Sequence, residues 1–144
     1  MKKLTLILTV ALSFVTMTAH ARDDVNRYSI QELLITEKAK EVLNPDIQLF
    51  FGTQTTPKVE KTYGEVTTNK KTNAFMKSDR EACEWVMLSA LIALQDRAVA
   101  EGMNAVSGIE SFYKKREFIS ETQFECGNGA IMAGVALKGT LVKI

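Results

Sequence analysis

The side chains that most often carry acid–base, nucleophilic or metal chemistry are scarce in this 144-residue chain, which has one histidine and two cysteines. The histidine, His20, falls in a segment that we predict to be removed during export, so the mature chain has no imidazole. That composition excludes Ser-His-Asp and Cys-His nucleophilic sites, histidine general bases and zinc sites that use histidine. We therefore expect no catalytic residue, no metal site and no cofactor, and predict that the protein is not an enzyme.

The two cysteines are the remaining reactive side chains. Cys83 lies on the core face of a predicted helix, and Cys126 ends a predicted strand with its side chain directed inward. Because an even number of cysteines in an exported chain favours a disulfide, we predict that Cys83 and Cys126 are bonded. The alternatives are two free thiols or a redox pair. The lack of a C-x-x-C motif and the inward direction of both side chains weigh against the redox pair.

Glycines and carboxylates form two further patterns. No G-x-x-x-x-G-K-[ST] or G-x-G-x-x-G motif occurs, which argues against a phosphate-binding loop. We interpret Gly127-Asn128-Gly129 as a hairpin turn rather than an anion-binding nest. Glu121 and Glu125 share one face of a predicted strand, where they form either a weak cation site or a solvated surface.

An apolar stripe on the predicted helix is a candidate interaction surface. Trp85, Leu88, Ile92 and Val99 gather nearly opposite the face that carries Cys83. Monomers generally avoid exposing such a stripe. Either the N-terminal helical segment or a second chain is therefore expected to cover it.

Basic residues form a second candidate surface. Lys114, Lys115 and Arg116 follow Tyr113 in a predicted turn, where they would suit an acidic partner or a lipid head group. Residues 69–73 form another basic loop. A solvated turn is the alternative for both, because short runs of charge usually face water.

The N-terminus has the features of an export signal. Lys2 and Lys3 precede the uncharged apolar segment 4–18, and Ala19-His20-Ala21 matches a small-x-small cleavage site. A membrane anchor is the alternative, but about 15 residues are short of the roughly 20 that span a bilayer. We expect a signal peptide at 1–21 and a mature periplasmic or secreted chain without stable membrane insertion.

Charge excludes one class of partner. Removal of Lys2 and Lys3 leaves 16 basic against 17 acidic residues, a net charge of −1. A chain with no basic surplus is a poor match for a nucleic-acid backbone, so no nucleic-acid partner is expected.

The predicted elements before the main helix are short. Residues 22–28 are polar and are expected to be a flexible lead-in. Residues 29–43 show helical periodicity that divides near Thr36, a candidate N-cap. One strand is expected within 46–52, where Ile47, Leu49 and Phe51 alternate, and a second at 58–68. A connector is expected at 69–77.

The main helix and three later strands complete the predicted domain, 29–144. Ser78 and Glu81 fit a capping box, and Gly102 follows the expected helix end. Strand patterns follow at 104–113, 118–126 and 130–143. The predicted fold class is α+β, with one long helix packed on a small antiparallel sheet and an extra N-terminal helical segment.

The helix-to-strand junction carries a family resemblance. ALIALQDRAVAEG, which runs into residues 104–109, resembles the YbjQ-type heavy-metal-binding family and the periplasmic domain of the Rcs stress-sensor lipoprotein. In both, a long helix ends in a similar turn that feeds a central strand. The present chain lacks the lipid-attachment cysteine and the four-cysteine framework of the stress sensor. It also lacks histidines that would support a metal-binding label.

Two other segments, TYGEVTTNKKTNAF and FECGNGAIMAGVALKG, look like a group of short exported proteins of unknown role that are sometimes labelled "excinuclease ATPase subunit". The missing Walker loop and zinc-cysteine array, together with the export signal, argue against that activity.

These observations lead to two functional hypotheses. The first is a non-enzymatic exported envelope protein that binds a partner protein or assembles with itself. The alternative is a periplasmic protein that binds a small ligand or a metal ion, for which the family label is the main support.

Overall fold

The structure is a computed structural model that describes residues 22–144. The regular elements of this part of the chain are, in order, β1 (Asp23–Ser29), α1 (Ile30–Leu34), α2 (Glu37–Val42), β2 (Gln48–Phe51), β3 (Lys61–Asn73), α3 (Asp79–Ala100), β4 (Ala105–Ser111), a 3₁₀ turn (Tyr113–Lys115), β5 (Gln123–Gly129) and β6 (Met132–Lys143). The predicted signal peptide at 1–21, with His20, lies outside the described residues.

The sheet dominates the fold. Six strands form one curled, mixed sheet that holds 41% of the described residues, in the order β1-β5-β6-β4-β2 with β3 on the other side of β6. β2 pairs in parallel with β4, and the other strand pairs are antiparallel. The predicted fold class, α+β with one long helix on a small antiparallel sheet and an extra N-terminal helical segment, is therefore wrong.

Polar edge strands explain most of this difference. Residues 22–28, expected as a flexible lead-in, form most of β1, which pairs along its full length with β5. β3 continues to Asn73, through residues expected as a connector. Edge strands bond through their backbones and commonly carry charged side chains, so they lack the apolar alternation by which strands are recognised.

The β5–β6 hairpin also differs from the prediction. Gly127, Asn128 and Gly129 belong to β5, and the turn is formed by the next two residues, 130–131. The alternation along β5 directs Cys126 and Asn128 toward the helix side of the sheet and Gly127 toward the other side. A residue that usually signals a turn is thereby placed in the core.

α3 packs across one face of the sheet, against β3, β4, β5 and β6. It begins where the Ser78 side chain accepts a hydrogen bond from the Glu81 backbone N–H at 3.1 Å, and Gly102 follows its end with φ +71°. Its buried face contributes ten residues to the core, namely Ala82, Cys83, Val86, Met87, Leu88, Ala90, Leu91, Leu94, Gln95 and Ala98. Within residues 22–144, no helix combines the length and apolarity needed to cross a bilayer.

Candidate functional site

The outer side of α3 is partly covered by α1 and α2. Thr36 separates these two short helices and caps α2, because its side chain accepts a hydrogen bond from the Ala39 backbone N–H. Ile30, Leu33 and Ala39 are buried in the same core as α3. The N-terminal helical segment therefore lies over part of the apolar stripe predicted on α3.

The cover is incomplete along the stripe. Leu88 is buried and Ile92 is half-buried, but Trp85 remains 48% exposed and Val99 55% exposed. The four residues of the predicted stripe thus differ in exposure, from the buried Leu88 to the half-exposed Trp85 and Val99.

A groove lies beside Trp85, between α3 and the α1–α2 pair. Its volume is about 320 Å³, and it is lined by Leu33, Thr36, Lys38, Lys77, Glu81, Glu84, Trp85 and Leu88. The base is apolar and the rim carries two lysines and two glutamates. A concave apolar surface with a few polar groups at its rim is the usual form of a binding site.

Charged contacts stiffen the rim of the groove. The Lys38 ammonium lies 5.2 Å from the centroid of the Trp85 ring, a cation–π contact. Arg80 pairs with Glu84 at 2.9 Å and also with Glu32 of α1, which links α1 to α3. Hydrogen bonds to these two carboxylates raise the pKa of Arg80 above its ordinary value. Because these groups are exposed, the pairs contribute mainly orientation and little stability.

A buried amide fixes the segment that joins α2 to β2. The Gln95 side chain accepts a hydrogen bond from the Asn44 N–H at 2.8 Å and donates to the Asn44 and Ile47 carbonyls, each at 2.9 Å. Gln95 is buried, and its three partners are backbone groups of one short loop. The amide therefore holds the end of α2 against α3, next to the groove.

The predicted turn with Lys114, Lys115 and Arg116, which we call the basic tip, lies on the side of the sheet opposite α3. Tyr113 packs over Gly127, where an added Cβ would come within 2.1 Å of the Tyr113 ring. Lys114 and Lys115 both adopt left-handed backbone conformations, with φ of 54° and 60°. This conformation is unfavourable for residues other than glycine, so packing of the neighbouring aromatic ring must hold the turn in place.

The side chains of the basic tip are exposed. Lys114 pairs with Asp23 of β1 at 2.5 Å, whereas Lys115 and Arg116 have no ion-pair partner among residues 22–144. Because α3 and this turn lie on opposite faces of the sheet, the structure does not bring Trp85, Leu88 and Ile92 together with Lys114, Lys115 and Arg116. The predicted interaction residues form two separate surfaces.

The predicted disulfide is confirmed. Cys83 of α3 and Cys126 of β5 are bonded, with their Cα atoms 5.8 Å apart. The bond ties the helix to the sheet near its N-terminal end.

Asn128 is a buried neighbour of this bond that sequence reasoning missed. Its amide donates to the Cys83 sulfur at 3.2 Å, and its oxygen accepts from Asn26 Nδ2 at 2.8 Å. Strand alternation could have placed Asn128 in the core, because it lies two residues after the inward-facing Cys126 and residues two apart share a face.

The weak cation site proposed at Glu121 and Glu125 does not form. Glu121 accepts a hydrogen bond from the Thr53 hydroxyl at 2.6 Å, whereas Glu125 pairs with Arg27 at 3.3 Å. Glu121 lies in the bend before β5, which begins only at Gln123, so the two carboxylates do not share a strand face as expected. In the described part of the chain, no group of three histidine, cysteine, aspartate or glutamate side chains is arranged to hold a metal.

No protein family, curated protein or solved structure matches this chain. The resemblance to the YbjQ-type and Rcs stress-sensor families therefore stays a prediction. The groove beside Trp85 is the candidate site that the geometry supports best.

Proposed function

We propose that this chain is an exported, non-enzymatic envelope protein that binds a partner protein in the groove beside Trp85. The observation that carries the proposal is the half-exposed Trp85 ring at the edge of an apolar groove of about 320 Å³. Tryptophan is enriched among the residues that dominate binding energy at protein interfaces. The partner is expected to insert one bulky apolar side chain over Leu33 and Leu88.

The charged rim defines what surrounds that side chain. Lys38 and Lys77 lie on the rim with Glu81 and Glu84, so both signs of charge face the partner. Such a rim favours a partner segment with charges on both sides of its apolar anchor, because matched charges improve specificity and association rate.

Export is supported by the disulfide and by the sequence of the first 21 residues. A disulfide between Cys83 and Cys126 is compatible with an oxidising location outside the cytoplasm. Replacing Ala19 and Ala21 with bulky residues should leave an uncleaved precursor held at the membrane. If the unchanged protein instead accumulates at its unprocessed mass in the cytoplasm, the export proposal is wrong.

Site-specific crosslinking tests the binding proposal. A photo-reactive residue placed at position 81, an exposed position on the groove rim that leaves Trp85 intact, should give a discrete adduct in envelope preparations, and the same residue at position 99 should not. Val99 is the matched control because it lies on the same helix and is similarly exposed, but does not line the groove. The crosslinked protein is then identified, purified and titrated.

The titration decides the outcome. Trp85→Ala should weaken binding of the purified partner by roughly 30-fold, which corresponds to the loss of about 2 kcal/mol that defines a hot-spot residue, and Val99→Ala by less than about twofold. Equal adducts at both positions, or equal affinities of the two variants, would refute the proposal.

A small apolar ligand is the second candidate for the same groove, because the volume lies at the lower end of the range found for ligand pockets. Native mass spectrometry of the protein purified from the envelope distinguishes the two. A bound species of a few hundred daltons that Trp85→Ala abolishes would favour the ligand.

A further inference from the structure

Four large apolar side chains protrude together at one end of the sheet, and none of them lines the groove. Phe75 is 65% exposed, Met76 90%, Ile131 59% and Met132 41%. We call these four residues the apolar tip. Single exposed apolar residues are ordinary, but a contiguous group of this kind marks an interaction surface.

The apolar tip is contiguous because two chain segments lie side by side. The Ala74 N–H donates to the Ile131 carbonyl at 2.8 Å, and Asn73 pairs with Met132 at the end of the β3–β6 ladder. The loop after β3 and the turn between β5 and β6 therefore project from the same edge of the molecule.

The backbone conformation of the apolar tip keeps its side chains exposed. The Asn73 side chain accepts a hydrogen bond from the Phe75 N–H at 2.7 Å, and Met76 adopts a left-handed conformation with φ 60°. A non-glycine residue in this conformation costs on the order of 1–3 kcal/mol and tends to occur at functional sites. The two most exposed side chains of the tip are thus held outward by a specific and unfavourable turn.

Lysines lie directly behind the apolar tip. The Lys77 ammonium is 3.4 Å from the Asn73 carbonyl, and Lys71 lies two residues before Asn73 on β3. The nearest carboxylate on α3, Asp79, is paired with Arg22, with Nη1 and Oδ1 3.0 Å apart. Glu81 lines the groove together with Lys77, so the positive charge beside the tip itself comes from Lys71 and Lys77.

We propose that the apolar tip docks on the surface of a phospholipid bilayer with anionic head groups. Phe75, Met76 and Ile131 would enter the boundary between head groups and acyl chains, while Lys71 and Lys77 contact phosphate. Apolar side chains backed by lysines bind such surfaces through buried area and electrostatic attraction.

The shape and position of the tip favour a bilayer over a protein partner. The tip is formed by the loop after β3 and the β5–β6 turn, and its four side chains are 41–90% exposed, so a flat surface can reach them without a complementary pocket. The chain also enters the structure at this end, since Asp23 pairs with Gly129 just before the β5–β6 turn. The apolar segment 4–18 that precedes it would hold the same end at a membrane during export.

Vesicle sedimentation with chain 22–144 tests the proposal. The buried core of the described residues lies between Ile30 and Leu141, within this chain. The probe is vesicles of phosphatidylethanolamine and phosphatidylglycerol at a 3:1 ratio, with pure phosphatidylcholine vesicles alongside. The test variant is Phe75→Ser with Met76→Ser. The control is Ile35→Ser with Val99→Ser, which removes two other exposed apolar side chains.

The expected result is loss of at least about tenfold in vesicle affinity for the tip variant, with an unchanged melting temperature and less than about twofold loss for the control. Lys77→Gln should weaken binding to the anionic vesicles alone, by roughly fivefold. A tryptophan introduced at position 75 of the Trp85→Phe variant should be quenched by brominated lipid.

Three outcomes would overturn the proposal. The first is no vesicle binding by the unchanged chain, and the second is equal loss in the tip and control variants. The third is a dimer in lipid-free sedimentation that only the tip variant dissociates, which would identify the tip as a contact between copies. Because the Trp85→Ala titration involves no lipid, failure of the groove proposal and failure of this one are separable.

Discussion

Replacement of Gln95 by methionine should destabilise the fold, although the two side chains are similar in size. Methionine has nearly the length and volume of glutamine and fits an apolar core, so Gln95→Met creates little cavity. It removes all three hydrogen bonds of the Gln95 amide, whose side chain is buried. The perturbation thus isolates the hydrogen bonds from packing.

The size of the stability loss depends on whether each backbone partner of the Gln95 amide keeps another hydrogen bond. The Asn44 carbonyl keeps a bond from the Ile47 N–H at 3.3 Å, but the Ile47 carbonyl and the Asn44 N–H lose their side-chain partner. An unpaired buried group costs about 1–3 kcal/mol, and Asn44 is half-buried, so water restores part of its loss. The sum is about 2–4 kcal/mol, or roughly 8–16 °C in melting temperature for a chain of this size.

Chemical and thermal unfolding, followed by circular dichroism, measure this loss. Gln31→Met is the matched control, because Gln31 lies on α1 and is exposed. It should change stability by less than about 0.5 kcal/mol. Amide exchange at the Asn44 N–H should accelerate in Gln95→Met. If the two variants melt within 2 °C of each other, with m-values unchanged, the assignment of Gln95 as the clamp of the α2–β2 loop is refuted.

Three other perturbations have defined outcomes. Gly127→Ala should destabilise the fold by about 1–3 kcal/mol, because the new Cβ would overlap the Tyr113 ring. Tyr113→Ala should relieve most of that loss, and additive effects in the double-mutant cycle would contradict the contact. Alkylation of the denatured protein without reductant should label neither Cys83 nor Cys126, and reduction should lower stability by up to about 4 kcal/mol, whereas labelling of two thiols would disprove the bond. A hydrogen bond from the Arg22 guanidinium lowers the pKa of Asp79 below its ordinary value. The contribution of Asp79 to stability is therefore full above about pH 5 and is lost as the pH falls through the lowered pKa. The stability difference between the unchanged protein and Asp79→Asn should shrink over that range, and a constant difference would refute the pairing.

Local sequence features predicted the limits of the helices well. Ser78 caps the start of α3, and Thr36 divides α1 from α2. These features act through hydrogen bonds over three or four residues, so they need no knowledge of the rest of the fold. The cysteine pairing was also accessible, because only two cysteines are present and both were placed facing the core.

The sheet was the part that local reasoning missed. β1 and the second half of β3 are polar, and their strand conformation is stabilised by backbone hydrogen bonds to β5 and β6 that are distant in sequence. The parallel pairing of β2 with β4 likewise depends on how the intervening β3 and α3 return the chain. No pattern within either strand encodes its partner.

The sequence alone determined that the chain has little material for catalysis, that its two cysteines suit a disulfide, and where its helices begin, since these follow from composition and short-range bonding. Only the tertiary structure decided which surfaces are available. α1 and α2 bury Leu88 but leave Trp85 half-exposed, and two remote turns meet to expose Phe75 beside Ile131. Whether a side chain is exposed depends on the residues that the fold packs around it, and these residues lie tens of positions away along the chain.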